Sequence, residues 1–406
     1  MNSFYASVEM MLNPALRGKA VAVCGATKDR HGIVLAKSEL AKKAGVKTGM
    51  VNFEAMKLCK DLILVPPQYD QYLKYSKLAH EIYARYTDLI EPFGMDECWL
   101  DVTSSADAFG SGMEIAEKIR AAVRDELGLT VSIGVSFNKI FAKLGSDMKK
   151  PDAITEITCE NFRQKVWPLD VGDLLYAGRA TVRNLNEIGI YTIGDLAVTD
   201  PQVLKSRFGV NGLKLLRFAN GTDMSRVANR DFVSPVKSVG HGITCTADLN
   251  DNDEVKKVII ALTQDIGHKL RTHELKAEGV QVSVRCKDLT YRQFQTRLPG
   301  ATFVPGEIAD AAYKLFEERY NWCIPVRAIT VRGINLVPVN ENIQLDLFND
   351  YKAAEKRRKV FLAVEEIRRR FGKTSIEPAS LFCDLKMPDR GETEIIMPEV
   401  MYDYKV

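Results

Sequence analysis

At 406 residues, 46% of them apolar, the chain is long enough for several domains of about 100–200 residues, each with a buried core. A formal net charge of +3 excludes a polycationic or polyanionic chain, although cations can still gather on one face. No apolar run approaches the ~18 residues of a membrane span and no charged-then-apolar leader opens the chain, so a soluble, cytoplasmic protein is expected. The opening Met1-Asn-Ser-Phe-Tyr-Ala-Ser-Val-Glu9 reads as the exit from a strand into a helix, and Val21-Ala-Val-Cys24 is a short buried strand closed by Gly25. Gly32 to Ala36 predicts another strand, then a helix carrying Lys37, Lys42 and Lys43 that Gly45 ends. Lysines near a helix end ordinarily face solvent, and phosphate binding is the sharper alternative. Helical spacing follows from Tyr69 to Tyr86.

The stretch Pro92-Phe-Gly-Met-Asp-Glu-Cys-Trp-Leu-Asp-Val-Thr103 organises the chain, because two adjacent carboxylates interrupt a strand-like apolar run. Other acidic pairs, such as Asp125-Glu126, Asp253-Glu254, Glu317-Glu318 and Glu365-Glu366, sit in charged contexts that suit solvated faces. Only Asp96-Glu97 is flanked by Phe93, Met95, Trp99 and Leu100. Carboxylates in apolar surroundings either take up protons or hold a cation, which makes Asp96 and Glu97 candidate metal ligands. Side chains alternate along a strand, so both reach one site only where the strand bends, and Gly94 permits a bend.

An amphipathic helix from Glu114 to Leu127, a strand from Thr130 to Val135 and a helix from Ser136 to Lys150 follow, the last carrying Lys139, Lys143, Lys149 and Lys150 and stopping before Pro151. This order predicts a small sheet with helices on one face. Residues 173–221 hold two helix, glycine-turn, helix units, one around Gly178 and Arg179, the other around Gly209 and Gly212. Such turns either present backbone amides to phosphate or are plain helical hairpins. Residues 223–238 are polar, basic and aperiodic, and read as a linker. Beyond them strands predominate, with helices over Asp253 to Glu274 and Ile308 to Arg319. The alternation in Val280 to Cys286 puts Gln281, Ser283 and Arg285 opposite the valines, and Arg292, Arg297 and Arg332 can extend a basic sheet face. Near the end, Ile343-Gln-Leu-Asp-Leu-Phe348 is an apolar plug in a polar segment, followed by a charged helix from Lys352 to Arg370. Eight cysteines include no Cys-x-x-Cys pair, which argues against a zinc ribbon or a disulfide framework. No internal repeat is visible.

Taken together, Asn2 to Glu9, Asp96-Glu97 with Leu100-Asp101, Gly134-Val-Ser-x-Asn-Lys139 through Ala142-Lys143 and Lys150-Pro151, and Gly178-Arg-Ala-Thr181 resemble the Y-family translesion DNA polymerases of the DNA polymerase IV and UmuC-like type, in order and spacing. The match spans residues 1 to about 340. The resemblance implies an α+β right-hand architecture: palm and fingers over 1–165 (fingers about 4–68), thumb over 166–228, a linker over 229–238, a little finger over 239–338, and a clamp-binding tail over 339–406. It implies template-directed, error-prone synthesis in DNA repair with two Mg²⁺ ions, ~3.5–4 Å apart. Asp96 would bridge the ions and Glu97 would ligate the catalytic one. Phe4, Tyr5, Lys42 and Lys150 would bind the nucleotide, with Tyr5 as the steric gate under the sugar. Gly178, Arg179, Gly209 and Gly212 would hold the DNA backbone, and Gln344, Leu345, Leu347 and Phe348 look like a peptide for the bacterial sliding clamp. The implied partners are primer–template DNA, a deoxynucleoside triphosphate and that clamp, for a chain expected to be monomeric.

The chain departs from the family pattern at three places. The family's further metal-binding Asp immediately precedes the position of Met1, and the expectation is that translation starts upstream, since Asp96, Glu97, Tyr5 and Lys150 are kept. The alternative is a scaffold that links DNA to the clamp without chemistry. Gly94 stands where the family usually has Ser, and Tyr176 where the thumb turn usually has Gly. A nucleotide cyclase also pairs acids on a palm-like sheet, but the C-terminal half has no purpose there.

Overall fold

The computed structural model describes residues 1–30, 32–340 and 351–388. They divide into one unit of residues 1–24 and 34–234 and a second of 25–33 with the described residues from 235 onward.

In the first unit, α1 (Phe4–Leu12) leads to a three-stranded sheet ordered β2-β1-β3, built from β1 (Val21–Cys24), β2 (Val34–Lys37) and β3 (Ile63–Val65). Helices α2 (Glu39–Lys43) and α3 (Asn52–Leu58) come between β2 and β3. Lys37 thus closes a strand and does not belong to the helix expected of it; Ser38, which caps α2 by accepting from the Ala41 amide, marks the boundary. Helix α4 (Tyr69–Tyr83) is followed by the hairpin of β4 (Ile90–Pro92) and β5 (Cys98–Leu100). After the short α5 (Ala106–Phe109), α6 (Gly112–Leu127) begins with a Ser111–Glu114 capping box and buries Ile115, Ile119, Val123 and Leu127, one stripe at i+4 steps.

Strand β6 (Ile133–Ser136), α7 (Lys139–Met148) and the parallel β7 (Ile154–Ile157) form a crossover unit. Its close packing depends on Gly134: a Cβ there would lie 1.9 Å from the carbonyl oxygen of Ala142 on α7, so no larger residue fits. The expected single sheet is not what forms. Strands β4–β5 and β6–β7 are separate two-stranded ribbons, and β6 starts three residues later than the apolar pattern suggests. Residues 1 and 2 run between them, the Met1 ammonium donating to the Asp96 carbonyl (2.5 Å) and the Asn2 amide to the Thr130 carbonyl (2.8 Å).

Helices α8 (Phe162–Val166), α9 (Arg179–Asn186), α10 (Ile193–Val198) and α11 (Pro201–Ala219) share an apolar core with α7 through Leu144, Leu185, Ile193, Leu204 and Leu215. The segment after α11 has no helix or strand up to Ser238, yet it is strapped down: the Ala228 amide donates to Glu91, Lys139 to the Arg226 carbonyl, and the Arg230 amide to the Asp88 carbonyl.

The second unit is a four-stranded antiparallel sheet ordered β10-β9-β11-β8, from β8 (Ser238–Leu249), β9 (Leu275–Cys286), β10 (Tyr291–Thr302) and β11 (Val326–Pro338). Helices α12 (Asn252–Thr272) and α13 (Pro305–Arg319) pack on the face that holds Val280, Val282 and Val284, all fully buried. A further helix, α14 (Tyr351–Phe371), is tied to α12 through Glu365, whose carboxylate faces His268 Nδ1 at 2.5 Å and Arg271 at 3.3 Å. Gln344, Leu345, Leu347 and Phe348 lie outside the described residues.

Candidate active site

The β4–β5 hairpin places the two carboxylates. Ile90 pairs with Leu100 and Pro92 with Cys98, and the connection closes where the amides of Phe93 and Gly94 donate to the Glu97 carbonyl at 2.9 and 3.1 Å. Asp96 and Glu97 therefore sit on a turn, not within a strand, which releases them from strand alternation. The turn is fixed from behind by buried Trp99, whose indole donates to the Lys139 carbonyl (2.9 Å), and by Ser76 of α4, whose hydroxyl donates to the Met95 carbonyl.

Asp96, Glu97, Lys143 and Lys150 line one cavity of about 190 Å³ together with Met1 and Ser132. Burial pushes the Asp96 carboxyl above its ordinary range; the Met1 ammonium opposes this and the Glu97 charge adds to it. Lys143 donates to Glu97 Oε1 (2.9 Å) and Asp147 Oδ2 (3.0 Å). Burial pulls Lys143 down, but these two acids outweigh it and hold the ammonium above its usual value. Asp147, although partly buried, is held below the usual carboxylate range by Lys150 (2.6 Å) and Lys143. Of Asp96 and Asp147, only Asp96 is held above its ordinary range, the state a divalent cation relieves.

The donor set suits Mg²⁺ in kind. Asp96 and Glu97 offer hard oxygens, and Mg²⁺ commonly takes one or two carboxylates with water and substrate phosphates completing its shell. Among the described residues no group of three or more His, Cys, Asp or Glu gathers around a point that could hold a metal.

Tyr5 lies on α1, just past Ser3, which adopts a left-handed backbone (φ 45°) and ties to α2 by donating to Glu39 (3.1 Å). Its ring stacks on that of Tyr72, centroids 4.1 Å apart and 9° from parallel. Phe4, expected to touch nucleotide, is 4% exposed and packs in the core, so it can offer a ligand little beyond its backbone. Lys42 is exposed on α2, 3.8 Å from Glu39, and is not among the residues lining the cavity around Asp96. Lys37 is the cation that sequence reasoning set aside as solvated. Burial lowers its pKa, and the charges of Lys42 and Lys150 lower it further, which puts these three ammonium groups within electrostatic reach of one another. The available signal was its place directly after the strand expected over Gly32 to Ala36.

In the helical region, Gly178 is the N-cap of α9 and Arg179 its first residue, with no side chain capping the helix. Tyr176 holds φ 70° in the preceding turn, so the turn forms despite the missing glycine. Gly209 (φ 60°, ψ −142°) breaks α11 in a region only glycine enters freely, and Gly212 is buried in the half that follows, where a Cβ would lie 2.5 Å from the Leu204 carbonyl oxygen. On the sheet of the second unit, Gln281, Ser283 and Arg285 share the open face, and register puts Arg297 beside Gly279 and Arg332 beside Gln281 on it. Arg292 pairs with Val284 on the opposite face, 5.6 Å from the Tyr320 ring, so it does not extend the basic surface as expected.

A palm-like hairpin bearing paired acids, a helical region with glycine turns and a separate antiparallel sheet domain define the class of Y-family DNA polymerases. The impB/mucB/samB family model matches residues 1–147, and the C-terminal domain model of that family matches residues 236–347. The DNA polymerase IV of Acetivibrio thermocellus is 46% identical over 395 residues, covering 97% of this chain and 98% of the relative. That of Bacillus velezensis is 36% identical over 392 residues, covering 96% and 94%. Among solved structures, a Y-family DNA polymerase chimera aligns with a TM-score of 0.72 at 26% identity, over 83% of this chain and 97% of the other. DinB from Sulfolobus solfataricus aligns with a TM-score of 0.55 at 26% identity, over 84% and 98%. The chain belongs to the impB/mucB/samB family and is a Y-family DNA polymerase of the DNA polymerase IV type.

Proposed function

We propose that this DNA-directed DNA polymerase extends a primer across damaged template from the hollow that holds Asp96 and Glu97. The observation that carries the reading is the shared cavity of two hairpin-tip carboxylates and two lysines, with one of the acids left under-neutralised. In the reaction the primer 3′-hydroxyl oxygen bonds to the α-phosphorus of the incoming nucleotide, loses its proton, and displaces pyrophosphate. Two Mg²⁺ ions, held by Asp96 and Glu97 together with phosphate and water oxygens, would activate that hydroxyl and neutralise the triphosphate. Lys143 keeps Glu97 oriented toward the cavity. Lys150, with Lys37 and Lys42 within electrostatic range, draws the triphosphate in, and Tyr5 closes the space a 2′-hydroxyl needs. The amides around Gly178 and Gly209, with Arg179 and Gly212, grip primer and template by their phosphates without reading sequence. Residues 344–348 dock on the bacterial sliding clamp in the cytoplasm.

Primer extension with Mg²⁺ tests the site: Asp96→Ala abolishes nucleotide addition, and addition that persists overturns the metal assignment. The second reading is a scaffold that recruits the clamp to DNA without chemistry. Clamp binding that depends on Leu347 and Phe348, with no nucleotide addition by any form of the chain, would select that reading.

A further inference from the structure

The ring of Tyr5 rests on a built seat. Tyr72, fully buried on α4, lies parallel beneath it, and Tyr69 meets both rings edge-on at 6.1 and 5.9 Å. The Tyr72 hydroxyl donates to Glu9 Oε1 at 2.5 Å, and the other oxygen of that carboxylate accepts from Gln68 Nε2 at 2.7 Å. Tyr5 and Glu9 are one turn apart on α1, as Gln68 and Tyr72 are at the start of α4, so the two helices are joined by a closed ring of contacts. Burial pushes the Tyr72 phenol far up, and its bond to Glu9 adds to this, so Tyr72 is a neutral, donating hydroxyl at any working pH.

Glu9 is 4% exposed, and its side-chain hydrogen bonds among the described residues come from one phenol and one amide. An acid buried with neutral partners alone is costly, and packing two helices would be served as well by an apolar residue. The cost has a use if the orientation of the Tyr72 ring matters, since a hydrogen bond fixes a ring that apolar contact would let slide. We infer that Glu9, acting through Tyr72, is a positioning residue that holds the gate ring of Tyr5 and so sets how strictly the site excludes ribonucleotides. This rests on the reading of Tyr5 as the gate. A gate that rejects a single hydroxyl needs its ring held to within about 0.5 Å.

The test compares equilibrium binding of dATP and ATP to the protein on primer–template DNA opposite thymine. Tyr5→Ala should lower the preference for dATP on the order of 100-fold, the upper range for a pocket that sorts by shape. Glu9→Met and Tyr72→Phe should each lower it about fivefold, with dATP affinity kept within about twofold. The double variant removes the phenol and its acceptor together, leaves the exposed Gln68 amide to water, and should keep the fold while lowering the preference no further than either change alone. An unaltered preference in the double variant, beside a collapse in Tyr5→Ala, overturns the positioning role and leaves the gate intact. Equal losses of dATP and ATP affinity in the double variant assign Glu9 to stability alone and also overturn it. An unaltered preference in Tyr5→Ala removes the gate itself.

Discussion

Each unit of this protein buries carboxylates, and Asp265 and Glu365 of the sheet unit meet the opposite treatment from Asp96 of the hairpin. In the sheet unit, Asp265 is drawn down to about 2: burial opposes this, but His241 at 2.7 Å and Lys373 at 2.9 Å outweigh it. Glu365 is likewise held below its ordinary range against burial by His268 and Arg271. In the hairpin unit, Asp96 is pushed up, because the nearest cations do not offset its desolvation and Glu97 stands beside it. A satisfied buried acid holds elements together, whereas an unsatisfied one is an electrostatic debt that a ligand can clear. The comparison also separates stability from function: the acids that would be missed most in a melt are not those that would be missed in an assay.

Substitutions can break that contrast. The largest effect is expected for Asp96→Ala, a loss of nucleotide addition on the order of 10³-fold or more, with no loss of thermal stability. Glu365→Ala is the counterpart in the other unit. It leaves His268, Arg271 and Arg368 without their shared acid and should destabilise that unit by about 3 kcal/mol, measured by denaturant melting, while single-nucleotide extension at 25 °C is retained. If both substitutions moved stability in the same direction and by the same amount, the distinction between the two kinds of buried acid would fail.

The pH dependence should split the same way. Asp265 has a depressed folded value, so its stabilisation is present above the unfolded carboxylate pKa and is lost as pH falls toward 2. Asp96 has a raised folded value, so its contribution is present below the unfolded pKa and is lost as pH rises through the folded one. In metal-free buffer, Asp96→Asn should therefore melt above the parent at pH 7 and with it at pH 3, and Mg²⁺ should narrow the gap at pH 7 by stabilising the parent. A gap of the opposite sign at pH 7 would mean that the Asp96 charge is already satisfied within the fold.

What could be read from residues alone follows the length of the elements. The strand alternates from Val280 to Cys286, and α6 repeats its apolar stripe over 16 residues, so periodicity outweighs local noise there and the buried faces come out as the pattern dictates. The hairpin strands β4 and β5 have three residues each, too short for a period, and the shift of Asp96 and Glu97 from strand to turn is set by two main-chain bonds to the Glu97 carbonyl. Their chemistry was still legible, because acids beside Trp99 and Leu100 are conspicuous in any conformation. Tyr72 and Glu9 were not, since a tyrosine in an amphipathic helix looks like core and a glutamate looks like surface; only their meeting across 63 residues gives them meaning. Arg292 misled for a related reason: parity along β10 is fixed by register to β9, which composition does not reveal.

The smallest expected effect lies in the helical region, where Tyr176 occupies φ 70° in the turn before α9. A left-handed backbone costs a residue with a Cβ roughly 1–2 kcal/mol, whereas glycine is free of that penalty. Tyr176→Gly relieves it but raises the entropy of the unfolded chain by about 0.4–1 kcal/mol. It also gives up the tilted contact with Phe218, whose centroid is 6.1 Å away. The net expectation is a gain of about 0.5 kcal/mol, visible as a Tm rise of about 1–2 °C. Tyr176 is 64% exposed, so little burial is lost. Weaker primer–template binding by Tyr176→Gly, alongside the higher Tm, would put this turn with the unsatisfied acid of the hairpin; unchanged binding would put it with the satisfied ones of the sheet.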